Sequence, residues 1–321
     1  MQPAVSSWPR RNPIAAFSLL AFGLSWAGYI PFAAYQAGLL HFKVVVEVPM
    51  FAQYGPSVAA LILIGAEGGW SGIRNLLRKV VHWRVGIQWY AVVLLLTPLI
   101  VLTVLGVDAL FGVVPDFGNL SSWYTRWSEG LRTYTPSAGL LSWMAAFTAR
   151  GRWQTLVIFA TLAICNGGLS EELGWRGHLL PKLQARRSAL AASIGVGLLW
   201  SFWHTDPDFW RALFTTGIAA FSKPLVYTIH STALAILFTW VYNNTEGSLL
   251  LPILFHASYN ATITIVNLAW GGPGKFSLLV VETIVGLCVV AIIVVVAFGP
   301  ARLALGREPS AAPSLASETV R

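Results

Sequence analysis

Several side chains able to move protons or hold charge sit in apolar surroundings in this sequence. Glu171, Glu172, Arg176 and His178 share one hydrophobic segment, His204 lies in the next, His230 in the one after, and His256 with Asn260 in a fourth. An ionisable group inside a membrane span is costly unless paired or hydrated, so each is a functional candidate by default. Asp108 and Glu282 are also ionisable, but they lie in other segments without a partner at helical spacing.

Spacing sorts this set. Glu172 and Arg176 are four residues apart, so on a helix they share a face and can pair. Glu171 sits about 100° further round and is left without that partner. One carboxylate is thereby neutralised and the other is free for proton chemistry. His256 and Asn260 are again four apart and project into one space. Trp200 stands four before His204, which puts an aromatic ring beneath the imidazole.

A carboxylate in a low-dielectric site can act as a general base on water. A neighbouring histidine can orient that water or share its proton, and a second histidine with an amide can donate to a developing oxyanion. These are the parts of a peptide hydrolase that forms no covalent intermediate. The same residues have a second use, because Glu171, His204 and His256 make a His-His-carboxylate set of the kind that binds zinc. The chain lacks H-E-x-x-H, and Asn260 is a poor zinc ligand but a good oxyanion donor. The metal-free reading is favoured, with no cofactor expected, and zinc stays open as the alternative.

The elements that must position these groups are apolar segments at roughly 14–36, 49–66, 89–113, 153–182, 188–206, 224–243, 248–270 and 277–300. Backbone groups in lipid must be satisfied internally, so each segment is expected to be a helix. The fold class is therefore all-α: a multi-spanning bundle of about eight transmembrane helices enclosing an intramembrane polar site. The stretch from Gly72 to Trp89 alternates basic and apolar residues and reads as an amphipathic helix in the interface. The long connection 114–152 carries Trp123, Tyr124, Trp127 and Trp143, and part of it is expected on the membrane surface. One membrane domain, 1–321, accounts for everything, with polar tails at 1–13 and 301–321 and a motif-bearing core at 150–270. The tail after Arg302 is expected to be disordered.

Depth follows from the turns. Glu171 and His204 both fall roughly 23–26 Å along their helices from a shared turn near Arg186-Arg187. His256 and Asn260 fall roughly 15–20 Å from the next turn on that side, near Glu246-Gly247. Three spans can thus offer acid, imidazole and amide at comparable depth.

Composition agrees with a bilayer as solvent. Of the 321 residues 56% are hydrophobic and only 11% charged, against about a quarter charged in a soluble domain. The net charge of +8 comes from loops and tails, which points to topology setting and anionic lipid rather than nucleic acid. Most Lys and Arg outside the spans lie on the side of the N-terminus, so both termini are expected to be cytoplasmic, in the plasma membrane. The apolar stretch after Arg10-Arg11 is long enough to span and reads as an uncleaved first helix. Cys165 and Cys288 lie in apolar runs, so no disulfide framework is expected.

The motif-bearing residues resemble a known family. Glu171-Glu172-Leu173-Gly174-Trp175-Arg176 is similar to the E-E-x-x-x-R motif of the CAAX protease and bacteriocin-processing (CPBP, or Abi) family, which includes the type II CAAX prenyl proteases. His256-Ala257-Ser258-Tyr259-Asn260 resembles its H-x-x-x-N motif. His204 stands where its F-x-x-x-H motif would end, with Trp200 in place of Phe. The resemblance covers about 150–270. It implies an all-helical intramembrane endopeptidase in which Glu171 and His204 activate water and His256 and Asn260 form the oxyanion hole. Glu172 and Arg176 would support the site. The implied substrate is a membrane peptide or a lipidated protein C-terminus, and no nucleic-acid partner is implied.

Simpler roles stand beside these. Glu172 with Arg176, and His230, can act as hydrogen-bonding glue between helices, and His178 is assigned no role in the chemistry. A transporter with a proton relay is a competing class, but repeated halves and paired broken helices are not evident. A non-catalytic immunity or scaffold protein is a further alternative.

Overall fold

The computed structural model describes residues 7–112, 123–133, 140–205, 207–217, 224–270 and 273–304. These residues are built from helices and turns. After a single short turn of helix at Ser7–Arg11, the helices are α1 (Pro13–Gln36), α2 (Glu47–Ala52), α3 (Gly55–Val80), α4 (Ile87–Leu110), α5 (Trp123–Thr133) and α6 (Leu140–Thr148). After them come α7 (Arg152–Gln184), α8 (Ala189–Trp203), α9 (Pro207–Thr216), α10 (Pro224–Asn244), α11 (Leu250–Trp270) and α12 (Pro273–Phe298).

Among the described residues, five helices are long and apolar enough to cross a bilayer: Pro13–Gln36, Ile87–Leu110, Arg152–Gln184, Pro224–Asn244 and Leu278–Phe298. The other three expected spans are helical too, as α3, α8 and α11, but α8 is only 15 residues long. The all-helical membrane bundle stands; among the described residues five helices meet the length and composition of a crossing, and the count of eight is not confirmed.

The second expected span is corrected. Residues 49–66 do not form one helix, because α2 ends at Ala52 and α3 starts at Gly55, with Pro56 in its first turn. Nor does an interfacial helix begin afresh at Gly72. Helical structure runs on to Val80 through a kink at Gly69, whose φ of 59° and ψ of −155° favour glycine. The basic, amphipathic stretch is thus the second arm of a bent helix. The tail beyond residue 304 lies outside the described residues, as do parts of the 114–152 connection. Within that connection, α5 packs on α7 and α11, with the Trp127 ring 5.2 Å from that of Phe159.

Burial separates inner from outer helices. In α10, 56% of the spanning window is buried, against 22% in α4. Leu94, Leu95, Leu99 and Leu102 on α4, and Val281, Val285, Ile292 and Val296 on α12, are exposed, as suits side chains facing lipid. The core is formed by Phe17, Trp175, Leu179, Trp203, Leu237, Phe238, Leu251 and Phe255. Helix α7 runs through this core, packed against α3 and α11, while α8 packs closely on α10. A Cβ at Gly197 would stand 2.6 Å from Thr232 Cα, so glycine is what allows α8 and α10 to approach so closely.

Helix α7 is broken where the site lies. Asn166 (φ −94°, ψ 102°) and Gly167 (φ 112°, ψ −75°) leave the helical conformation inside a wider, π-type turn at Ile164–Leu169. Irregular backbone at membrane depth is tolerated when it is buried in protein or lines a cavity and its polar groups find partners. Both conditions are met here. Gly167 N–H donates to Ser170 Oγ at 2.7 Å, and Ser57 Oγ–H on α3 donates to the Leu169 carbonyl at 2.9 Å.

Candidate active site

The helical turn after this break carries Glu171 and Glu172, both buried. Their different partners follow from their positions around the helix. Arg176 Nη1 lies 3.0 Å from Glu172 Oε2 and donates to Oε1 at 3.1 Å, with both side chains fully buried. His256 Nδ1–H donates to the same Oε1 at 2.8 Å. The Arg176 guanidinium also lies 4.8 Å from the Trp200 ring and 4.4 Å from that of Phe238, so aromatic faces surround the cation.

Glu171 faces elsewhere. Its Oε2 accepts two indole N–H groups, from Trp200 at 2.6 Å and from Trp175 at 3.2 Å. Its Oε1 accepts no hydrogen bond among the described residues and stands 4.0 Å from His256 Nε2. His204, just past the end of α8, donates Nδ1–H to the Trp200 carbonyl at 3.0 Å. Both imidazoles therefore commit Nδ1 to an acceptor, which fixes the ring and leaves Nε2 as the second functional nitrogen.

These groups border one cavity of about 150 Å³. Glu171, His204, His256 and Asn260 all line it, so the four expected site residues are brought together. Asn260 stands beside the break in α7: a Cβ at Gly167 would lie 2.5 Å from Asn260 Nδ2 and 3.1 Å from His256 Nε2. Two larger hollows adjoin the central one. One, of about 350 Å³, shares Gln53, Glu171 and His204 and is walled by Tyr29, Met50 and Trp203. The other, of about 310 Å³, shares Asn166, Tyr259 and Asn260 and is walled by Trp127, Phe159 and Ile263. Each of the two larger hollows thus shares lining residues with the central cavity.

His178 is not part of this cavity; its ring is buried and stacks on Phe17 at 5.4 Å. His230 does join α10 to α11, sharing a 2.6 Å hydrogen bond with Tyr259, and it also lines the cavity. Asp108 and Glu282 are set near each other where α4 packs on α12, apart from the site. Cys165 and Cys288 are free.

The sequence reading did not find the two indole donors, Tyr259, Gln53 or the break at Asn166. A signal existed for some of them. Trp175 and Tyr259 lie inside the motifs, and Asn166-Gly167-Gly168 is a polar interruption in an apolar run. Nothing marks Gln53, which reaches the site only through tertiary packing.

Among the described residues no three His, Cys, Asp or Glu side chains are placed to hold a metal ion. Glu171, His204 and His256 line one cavity without forming a ligand cluster.

Residues 152–262 match the family model of the Rce1-like type II CAAX prenyl endopeptidases. A CAAX prenyl protease 2 of Methanococcus maripaludis is 34% identical over 94 residues, which is 28% of this chain and 34% of that protein. The chain therefore matches about a third of the length of that curated relative. The matched segment contains α7, α8, α10 and the part of α11 that carries His256 and Asn260, which are the elements that build the cavity. Through this segment the chain is similar to the type II CAAX prenyl endopeptidases.

Proposed function

We propose that this integral membrane protein is an endopeptidase that hydrolyses a peptide bond near the C-terminus of a lipidated protein or membrane peptide. The observation that carries this reading is the pair of oxygens on Glu171. One is held by two indoles, and the other accepts no hydrogen bond among the described residues and stands 4.0 Å from His256 Nε2, in a side chain that lines a cavity with His204, His256 and Asn260.

In this reading Glu171 Oε1 takes a proton from water as the oxygen adds to the scissile carbonyl, and His204 Nε2 orients that water. General-base help of this kind contributes roughly 10²–10⁴-fold. Asn260 Nδ2–H donates to the oxyanion whatever the protonation state of His256. His256 can donate from Nε2 only when both ring nitrogens carry protons, because Nδ1–H is committed to Glu172. The proton on Glu171 then passes to the leaving amine as the C–N bond breaks. The hollows on either side would hold the chain flanking that bond. The name of the relative supports a prenylated C-terminus as substrate, and the distribution of Lys and Arg supports cytoplasmic termini. No step requires a metal.

Purified protein in detergent, given a farnesylated CAAX peptide reporter, should cleave it, and Glu171→Gln should lower the rate at least a thousandfold while the protein stays folded. A Glu171→Gln variant that cleaves normally overturns the assignment. Activity should survive exhaustive chelation, and stoichiometric zinc by elemental analysis with loss of activity on its removal would restore the metal alternative.

A further inference from the structure

Trp200 occupies the position where the family motif has Phe. Phe could supply the ring but not the N–H, and here the N–H makes the shortest hydrogen bond to Glu171. The indole also touches the rest of the site. The Arg176 guanidinium lies 4.8 Å from its ring, the His204 ring 5.6 Å and the His256 ring 5.5 Å. Its backbone carbonyl accepts His204 Nδ1–H. Trp175, one turn after Glu171 on α7, supplies the second donor to the same oxygen.

We infer that Trp200, with Trp175, is a positioning residue that assigns the two oxygens of Glu171, holding Oε2 with paired indole N–H groups and reserving Oε1 for water. A carboxylate on a flexible side chain can present either oxygen by rotating about its last bond. Hydrogen bonds to a charged acceptor are about twice as strong as neutral ones, so two on Oε2 give that rotation a preferred end point. Oε1 then stays on the cavity side, 4.0 Å from His256 Nε2, with no competing donor among the described residues. Misplacing a reacting atom by about 1 Å can cost roughly a hundredfold in rate, so fixing this rotamer is a catalytic matter and not only a packing one. The ring ties the same residue to His204, so base and imidazole are set by one side chain.

This inference rests on the proposed hydrolase reading, and the experiment separates the two. Trp200→Phe keeps a ring against Arg176 and restores the motif residue while removing the donor together with part of the ring volume. The expected result on the farnesylated peptide is a fall in kcat of tenfold or more with KM within twofold, in a protein that stays folded with a lowered melting temperature. Trp175→Phe, which removes the longer bond, should lose less. Difference infrared spectra supply a readout that needs no turnover: the carboxylate stretch that disappears in Glu171→Gln should shift in Trp200→Phe. An unshifted band, or an unchanged kcat in Trp200→Phe, overturns the inference while wild-type cleavage keeps the hydrolase reading. Absence of cleavage by the wild-type protein removes the hydrolase reading and the inference with it.

Discussion

His256 donates its Nδ1–H to Glu172 Oε1 across 2.8 Å, although 84 positions separate them in the chain. Glu172 therefore holds both the Arg176 cation and the imidazole that faces the cavity. The second acid of the motif joins α7 to α11 and leaves Nε2 as the nitrogen of His256 not bound to it. Its role combines helix–helix contact with ring orientation, and the two effects can be separated by mutation.

Glu172→Gln keeps an acceptor for His256 but removes the charge that compensates Arg176. Breaking a buried ion pair by removing one partner costs about 3–5 kcal/mol. Thermal unfolding should show a large drop in melting temperature, and Arg176→Met in the same background should recover part of it by removing the uncompensated cation. Unchanged unfolding in Glu172→Gln would show that the pair contributes nothing to the fold.

Asn260→Ala removes a donor aimed at the cavity without disturbing Glu171 or its indole partners. Loss of one oxyanion-hole donor costs roughly 10²–10³ in kcat. Single-turnover cleavage should be slowed by that factor with KM little changed. A rise in KM alone would instead make Asn260 a substrate-binding residue.

Gly167→Ala tests the break in α7. The added Cβ would stand 2.5 Å from Asn260 Nδ2, and φ of +112° is strained for any residue with a side chain. Activity should fall sharply because Asn260 and His256 must shift. A backbone held outside its preferred region costs on the order of 1–3 kcal/mol, so the melting temperature should drop as well. Gly195→Ala is the control, since its Cβ would make only ordinary contact, 3.5 Å from Leu183. Equal loss in both variants would mean that the break has no special place in the site.

Much of the site was legible because helical periodicity is local. The i, i+4 spacing of Glu172 with Arg176 requires only that the segment be helical, and the pair forms as that spacing demands. The same rule left Glu171 without an ion-pair partner on its own helix. The apolar segments followed from the cost of exposed backbone in lipid, which acts on every residue of a span. Boundaries were less legible where hydropathy and helicity part company. Glu67 ends an apolar run, yet α3 continues past it to Val80, and Lys182 binds Glu67 at 2.8 Å.

By itself the sequence determined an all-helical membrane chain, the residues available for chemistry and which acid would be paired on its own helix. Tertiary structure alone decided which oxygen of Glu171 is held and which is free. That outcome depends on an indole 29 positions away on α8 arriving at 2.6 Å. It also decided that Glu172 meets His256 and that Gln53 borders the site. Such contacts depend on the crossing of helices whose order in space local spacing does not encode. They are set by close approaches such as that of Gly197 to Thr232 and by a break in α7 that puts Gly167 against Asn260.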